Sequence, residues 1–457
     1  MAPSLPSVCV IGAGSSGLTA AKALQDAGFP FDCFEASDRV GGNWVYKNRN
    51  GMSSAYRSLH INTSRGRMEY ADYPMPAELP DFPHHSHLAA YFDAYADRFG
   101  LHDRITFETK VQRAELRPDG LWDVTTDTTG TRTYDAVIVS NGHHWDPRWP
   151  EPAFPGSDVF KGAQLHAHQY LGDDPTFFRD KRVVVLGMGN SAMDIATEAS
   201  FSAEAVYLAA RRGAWIIPKY LFGRPIDSLS TTARVPLRLR LAGLRAGIRL
   251  IVGDMESYGL PKPDHKLLGA HPTVSDDVLS RIAHGEITPK PNIAELTEGT
   301  VRFADGSEVE ADIVVYCTGY KVTFPFFEPG LISAPGNDLP LFRRVFHPAI
   351  PSVFFIGLLQ PVGAVFPLAE LQSKWVADYL TGRYLLPPRE ELGADIEAER
   401  ATMFERYVAS VRHTMEVDFD DYVLALERER ERGAARAGAA GHRLPIPPRA
   451  AGAAVAA

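Results

Sequence analysis

The sequence predicts an α/β fold built from two dinucleotide-binding Rossmann-like domains. Three observations predict it. Apolar, strand-like runs at Val8–Ile11 and Arg182–Leu186 each lead into a glycine fingerprint, Gly12-Ala-Gly-Ser-Ser-Gly17 and Gly187-Met-Gly-Asn-Ser-Ala192. A helical pattern follows each fingerprint, from Leu18 and from Met193. Between the two lies Phe160-Lys-Gly-Ala-Gln-Leu-His-Ala-His-Gln-Tyr170, placed to join one site to the other. The reading is of a discontinuous first domain, residues 1–170 and 297–432, with the second domain inserted at 171–296 and a disordered tail at 433–457.

Composition bounds the function. The chain has 457 residues, 45% hydrophobic and 23% charged, with a formal net charge of −9. That length suits two or three domains with ample core, and the acidic balance argues against a nucleic-acid partner. No run approaches the roughly 20 apolar residues of a membrane span, and the first residues lack a basic secretory n-region. Cys9, Cys33 and Cys317 lie far apart in apolar runs, as buried thiols in a reducing, cytoplasmic compartment would. Without a paired CxxC, dithiol chemistry is unsupported.

The first fingerprint carries the stronger signal. Gly12 makes the tight turn, Gly14 lets a pyrophosphate approach the backbone, and Gly17 lets helix and strand pack. Ser15 and Ser16 open the helix, whose N–H groups face the phosphates. The strand Phe31–Phe34 ends in Glu35, 18 residues after Gly17 (35 − 17), where an acid accepts from a ribose hydroxyl. Further on, His84, His85 and His87 cluster, but nothing completes a metal site; Ser86 is read as the cap of a helix over Leu88–Asp97. The short strands at Ile105–Phe107, Val111–Glu115 and Trp122–Val124 read as an antiparallel meander. Ala136–Val139 returns to the parallel sheet, leaving Asn141 and Gly142 at the ligand crevice.

In the second fingerprint, Gly187, Gly189, Asn190, Ser191 and Ala192 form the nucleotide turn. The next strand, Ala205–Ala210, ends in Arg211-Arg212 where an acid would repel a 2′-phosphate. Arginine takes that phosphate in a bidentate, charge-assisted pair, so the pattern favours NADP(H); the plainer alternative is two arginines decorating a strand end. A stripe of Leu237, Leu241, Leu244, Ile248 and Ile251, flanked by Arg234, Arg238, Arg245 and Arg249, predicts an amphipathic helix. It either packs on the second domain, meets a dimer partner, or lies on a membrane surface; the first two are preferred, and a homodimer is one assembly the sequence allows.

Taken together, the motifs resemble the flavin-containing monooxygenases, including the dimethylaniline-type N- and S-oxygenases, over residue 7 to about 430. The resemblance rests on the first fingerprint, Arg39-Val-Gly-Gly42-Asn43-Trp44, Phe160-x-Gly162-x-x-x-His166-x-x-x-Tyr170, the second fingerprint with Arg211-Arg212, and Cys317-Thr318-Gly319-Tyr320. It implies FAD in the first site, with Gly42 approaching the diphosphate, and NADP(H) in the second. It implies that NADPH reduces FAD, that O₂ adds at flavin C4a, and that the hydroperoxide passes one oxygen to a soft nitrogen or sulfur nucleophile. Asn62 is the side chain expected nearest flavin and oxygen, and Thr63, Val111, Thr318, Gly319, Tyr320 and Gln360 are further expected cofactor contacts. A helix from about Leu368 to Trp375 would aim its N-terminus at the flavin ring. His166 is read as fixing linker geometry rather than as a catalytic base. The chain departs from the family at Ala167 (commonly Ser), at Asn62-Thr-Ser-Arg65 (commonly Asn-x-Pro-Lys) and at Cys317 (commonly Ala). Tyr170, where Baeyer–Villiger monooxygenases usually carry Trp, favours the flavin-containing group. A ketone-oxidising Baeyer–Villiger enzyme, and a flavin reductase, oxidase or sensor making no oxygenated product, stay as alternatives.

Overall fold

A computed structural model describes residues 5–230, 237–267, 269, 272–406 and 414–448. Its frame is two five-stranded, wholly parallel sheets. In the first, the strands run in the order 353–355, 136–139, 8–11, 31–34 and 105–106. In the second the order is 288–291, 205–210, 182–186, 313–316 and 163–166. Each fingerprint strand sits at the centre of its sheet and is buried along nearly its whole length. Continuous apolar runs with no polar alternation belong in such a place, because helices cover both faces of a parallel sheet.

The fingerprint helices, Ser15–Asp26 and Asn190–Ala199, bury small residues against their sheets. The first also lies along Phe366–Leu380, tied to it by Thr19 Oγ1 and Ser373 Oγ at 2.9 Å. Behind that pair Phe346, Phe354, Trp375, Tyr379 and Tyr384 make a ring-rich core, with Trp375 and Phe346 4.6 Å apart between centroids. Burying a large aromatic side chain contributes on the order of 2–3 kcal/mol before entropy is set against it.

Several expectations need correction. The strands Ala163–His166 and Ile313–Tyr316 pair with each other and join the second sheet, so that sheet draws on chain beyond both the 170 and 297 boundaries. An apolar run identifies a buried strand but not which sheet receives it. Ile105–Thr106 pairs in parallel with Cys33–Phe34 and belongs to the first sheet; the antiparallel meander is 111–116, 122–126 and 130–134. The cap of the His85–Arg98 helix is His84, not Ser86: its imidazole accepts from Ser86 N–H at 3.3 Å. Of the tail expected to be disordered over 433–457, residues 433–439 are helical, in a helix from Phe419, and 449–457 lie outside the described residues. The side chains of that helical part pack, because Arg436 Nε donates to Leu385 O at 3.0 Å and Ala437 is buried.

The amphipathic stretch forms a helix over Leu237–Val252. Ile248 is fully buried, with Leu244 and Val252 packed beside it, against Ile217, Leu267 and Val274 of the second unit. Ile251, expected on that stripe, is half exposed instead. Arg234 lies outside the described residues, as do the side chains of Leu237, Arg238 and Leu241. Among the described residues no helix is long and apolar enough to cross a membrane, and no three His, Cys, Asp or Glu are placed to hold a metal ion.

Candidate nucleotide sites and the seam between them

At the first site the backbone folds back on itself where only hydrogen fits. Gly12 has φ +96°, and a Cβ there would stand 2.7 Å from Ser140 O; a Cβ on Gly17 would run into Gly12 O. The turn 41–44 then approaches Gly14, whose Cα would lie 3.1 Å from a Cβ on Gly42. The result is a floor of bare backbone in front of the Ser15–Asp26 helix. No side chain caps that N-terminus, nor those of Asn190–Ala199 and Phe366–Leu380. By contrast, the long helices His85–Arg98 and Phe419–Ala439 are capped by His84 and Asp418. Uncapped N-terminal N–H groups favour an anion. A cradle that any Cβ would fill, facing free helix N–H groups, fits a dinucleotide diphosphate at both fingerprints.

Glu35 is buried, and its carboxylate accepts from Ala13 N–H at 2.6 Å and Ser37 N–H at 2.8 Å. Burial pushes its pKa up, and bonds from the backbone of Ala13, Ser37 and Ala36 oppose that. The acid therefore ties the glycine turn to the second strand, with lone pairs left for a ribose hydroxyl. Thr109 N–H donates to Glu35 O, which brings Val111 to the same edge. Asn141 follows the Ser140 that closes over Gly12, and its Nδ2 donates to Thr323 O at 3.1 Å. Trp44 stands edge-on to Phe366 at 6.0 Å, linking this turn to the start of the 366–380 helix. That helix begins two residues earlier than expected and runs five further.

At the second site Gly187 has φ +145°, with Cys317 O 2.6 Å from where a Cβ would be. Cys317-Thr318-Gly319-Tyr320 thus abuts the fingerprint turn. Asn190 is not free to face a ligand with its carbonyl, because Oδ1 accepts from Val274 N–H at 2.8 Å. Arg211 is exposed and forms no ion pair among the described residues, whereas Arg212 lies 3.4 Å from Asp264. Of the two arginines, Arg211 is the unencumbered cation at the strand end.

The joining stretch is built around a close approach. A Cβ on Gly162 would stand 2.5 Å from the Phe160 ring and 2.6 Å from Asp312 O. His166 is fully buried; Nδ1 accepts from His168 N–H at 3.1 Å, and Gln169 Oε1 accepts from His166 N–H at 2.9 Å. Burial, then neighbouring His168, lowers its pKa to about 4. A neutral imidazole that accepts at Nδ1, on a residue whose backbone N–H is also bonded, shapes the turn.

Asn62 is half-buried on a loop that two distant elements hold. Thr63 Oγ1 donates to Gly363 O at 3.3 Å, beside the start of the 366–380 helix. Ser64 N–H donates to Asp227 Oδ2 at 2.6 Å, from the second unit. Tyr320 packs against His144, His166 and His168, each within 5.7 Å. Gln360 instead sits on a short strand beside Glu416, its N–H donating to Met415 O at 2.9 Å. Sequence reading passed over Asp227, Gly357 and Asp194. Gly357 packs on Ser16 at the first helix N-terminus; its place directly after an apolar strand, as at Gly12, was the available signal.

Residues 6–430 match the family model described as flavin-binding monooxygenase-like. A protein of Rattus norvegicus named flavin-containing monooxygenase 5 is 40% identical over 433 residues, covering 91% of this chain and 80% of that protein. Dimethylaniline monooxygenase (N-oxide-forming) 2 of Oryctolagus cuniculus is 36% identical, covering 92% and 82%. Among solved structures, the S-allyl-L-cysteine S-oxygenase of Allium sativum superposes with a TM-score of 0.70 at 27% identity, over 95% of this chain and 92% of that one. An oxidised steroid monooxygenase bound to NADP shares the fold, with a TM-score of 0.71 at 20% identity over 94% and 98%.

Proposed function

We propose, from the premise that this chain belongs to the flavin-binding monooxygenase-like family, that it uses FAD and NADPH to transfer one oxygen of O₂ to a soft nitrogen or sulfur nucleophile on a small molecule. One observation carries the reading. Two parallel sheets each present an uncapped helix N-terminus over a glycine turn, and the loop bearing Asn62 is pinned both to Gly363, just ahead of the 366–380 helix, and to the second unit. FAD and NADPH, when bound, supply the redox chemistry and the activation of O₂; the protein binds, orients and shields them.

Gly12, Gly14, Ser15, Ser16, Gly17 and Gly42 would hold the FAD diphosphate, with Glu35 on the ribose. Gly187, Gly189, Ser191 and Ala192 would hold that of NADPH, with Arg211 on the 2′-phosphate. Asn62 is the group assigned to the reacting atoms. An amide both donates and accepts without titrating, and its two-sided anchoring supports a fixed orientation. Tyr320, walled by three imidazoles, helps exclude water beside the seam. A cytoplasmic location and a homodimer belong to the same proposal.

The purified holoenzyme with NADPH, O₂ and either a thioether or a tertiary amine should give the S-oxide or N-oxide in near one-to-one ratio with NADPH consumed. A cyclic ketone run beside them tests the Baeyer–Villiger alternative. Ester as the sole product would replace this reading, and NADPH consumed wholly to hydrogen peroxide would remove oxygenation.

A further inference from the structure

Residues 53–58 form a strap between the two nucleotide sites. At one end they are held to the Gly42–Trp44 turn. Asn43 Oδ1 accepts from both Ser54 N–H and Ser54 Oγ at 2.8 Å, and Ser53 Oγ donates to Asn43 O at 2.7 Å. Two residues on, Tyr56 is buried, and its phenol donates to Asp194 on the helix that opens the second site. Ser58 Oγ donates to Glu198 Oε2 of the same helix at 3.0 Å. Asp194 and Glu198 are four residues apart and share one helix face. Arg57 N–H donates to Leu171 O at 2.8 Å, and the Tyr170 ring stands 6.2 Å from Tyr56.

We propose that Tyr56 and Asp194 are positioning residues that latch the first site's Gly42–Trp44 turn to the second site's helix and so set the register between the two bound nucleotides. The inference rests on the proposed pairing of FAD and NADPH. Neither residue stands in a glycine turn or at a helix N-terminus. Asp194 lies beyond the first turn of its helix, where the anion-binding N–H groups end. Filling this seam did not require a carboxylate, since an apolar pair would pack there without desolvating one. What the polar pair adds is one discrete alignment of strap and helix. Hydride transfer between two bound rings depends on such alignment, and a misplacement of about 1 Å costs on the order of a hundredfold in rate.

Tyr56→Phe removes the hydroxyl and keeps the ring. In the holoenzyme it should slow anaerobic flavin reduction by NADPH about tenfold or more, while flavin content and the rate of reduction by dithionite, which needs no docked nucleotide, stay as in the parent. Asp194→Leu, which removes the acceptor at similar volume, should do the same, and the double variant should lose no more than either single one. Independently of any turnover, hydrogen–deuterium exchange should quicken together in 53–58 and 190–199. Reduction by NADPH and exchange both within about twofold of the parent would overturn the latch, as would additive losses in the double variant. If Tyr56→Phe does not fold, Asp194→Leu alone carries the same readouts. A parent enzyme that is reduced by NADPH but forms no oxygenated product would sink the oxygenase reading and leave the latch standing or falling on its own data.

Discussion

The 2′-phosphate assignment comes down to one side chain. Arg211 is exposed and unpaired among the described residues, while Arg212 has Asp264 at 3.4 Å to compete for it. A charge-assisted contact of this kind is worth roughly 1.5–3 kcal/mol. Arg211→Ala should therefore raise the KM for NADPH roughly ten- to hundredfold and leave that for NADH nearly unchanged; Arg212→Ala should shift it less. Steady-state kinetics with both nucleotides decide it, and parallel shifts for the two cofactors would remove the 2′-phosphate role. Asn62→Ala should still permit reduction by NADPH but lower oxygenation on the order of a hundredfold, as loss of one preorganised donor does, with peroxide formed instead. Unchanged product per NADPH would clear Asn62 of that role. The pair Arg211-Arg212 was legible in sequence because it occupies the position of an expected acid. That only one of the two is free was not, because Asp264 comes from a loop 52 residues later (264 − 212).

Elements were legible where a local pattern decides them and illegible where partners do. Val8–Ile11 with Gly12 and Arg182–Leu186 with Gly187 announce a strand, a turn and a helix within one short window. Ile313–Tyr316 announces only a buried strand; that it lies between 182–186 and 163–166 follows from pairing across more than a hundred residues. This placement explains why Gly162 matters: it enters the 163–166 edge strand at a point pressed between the Phe160 ring and Asp312 O. Asp312 immediately precedes the partner strand and is itself held by Arg182 Nη2 at 2.9 Å. A methyl group at 162 must push a buried ring or a backbone carbonyl, an overpacking cost of about 1–3 kcal/mol. Gly162→Ala should lower the thermal midpoint of the holoenzyme, whereas Gly299→Ala, which meets nothing within 4 Å, should not. Equal midpoints for the two variants would show that the edge strand yields without cost.

At the scale of the whole molecule, the two-site architecture could be read from the order of motifs, while the way the units are sewn together could not. Tyr56 with Asp194, Ser64 with Asp227 and Thr63 with Gly363 join residues 138 to 300 positions apart and follow no local pattern. Two buried imidazoles flank this stitching. His166 shapes the joining stretch, and His85 sits where the 57–61 loop is bonded, its N–H donating to Leu59 O at 2.9 Å. Burial, then the adjacent His84, lowers the His85 pKa to about 4, as burial and His168 do for His166. Each is neutral in the folded chain near neutrality, and the unfolded chain takes up a proton on each below an ordinary histidine pKa near 6.5. Their contribution is thus fully present above about pH 6.5 and is lost as pH falls toward 4, by up to on the order of 3 kcal/mol each. Asp312, held to about 2 by Arg182, loses its contribution only at lower pH. The thermal midpoint should therefore fall between pH 6.5 and 4.5, before carboxylate pairs break. His166→Asn, whose amide oxygen can still accept from His168 N–H, should flatten that fall while matching the parent near pH 7.5 to within the loss of ring packing. Parallel curves for parent and variant across the window would show that the seam's acid sensitivity lies in other groups.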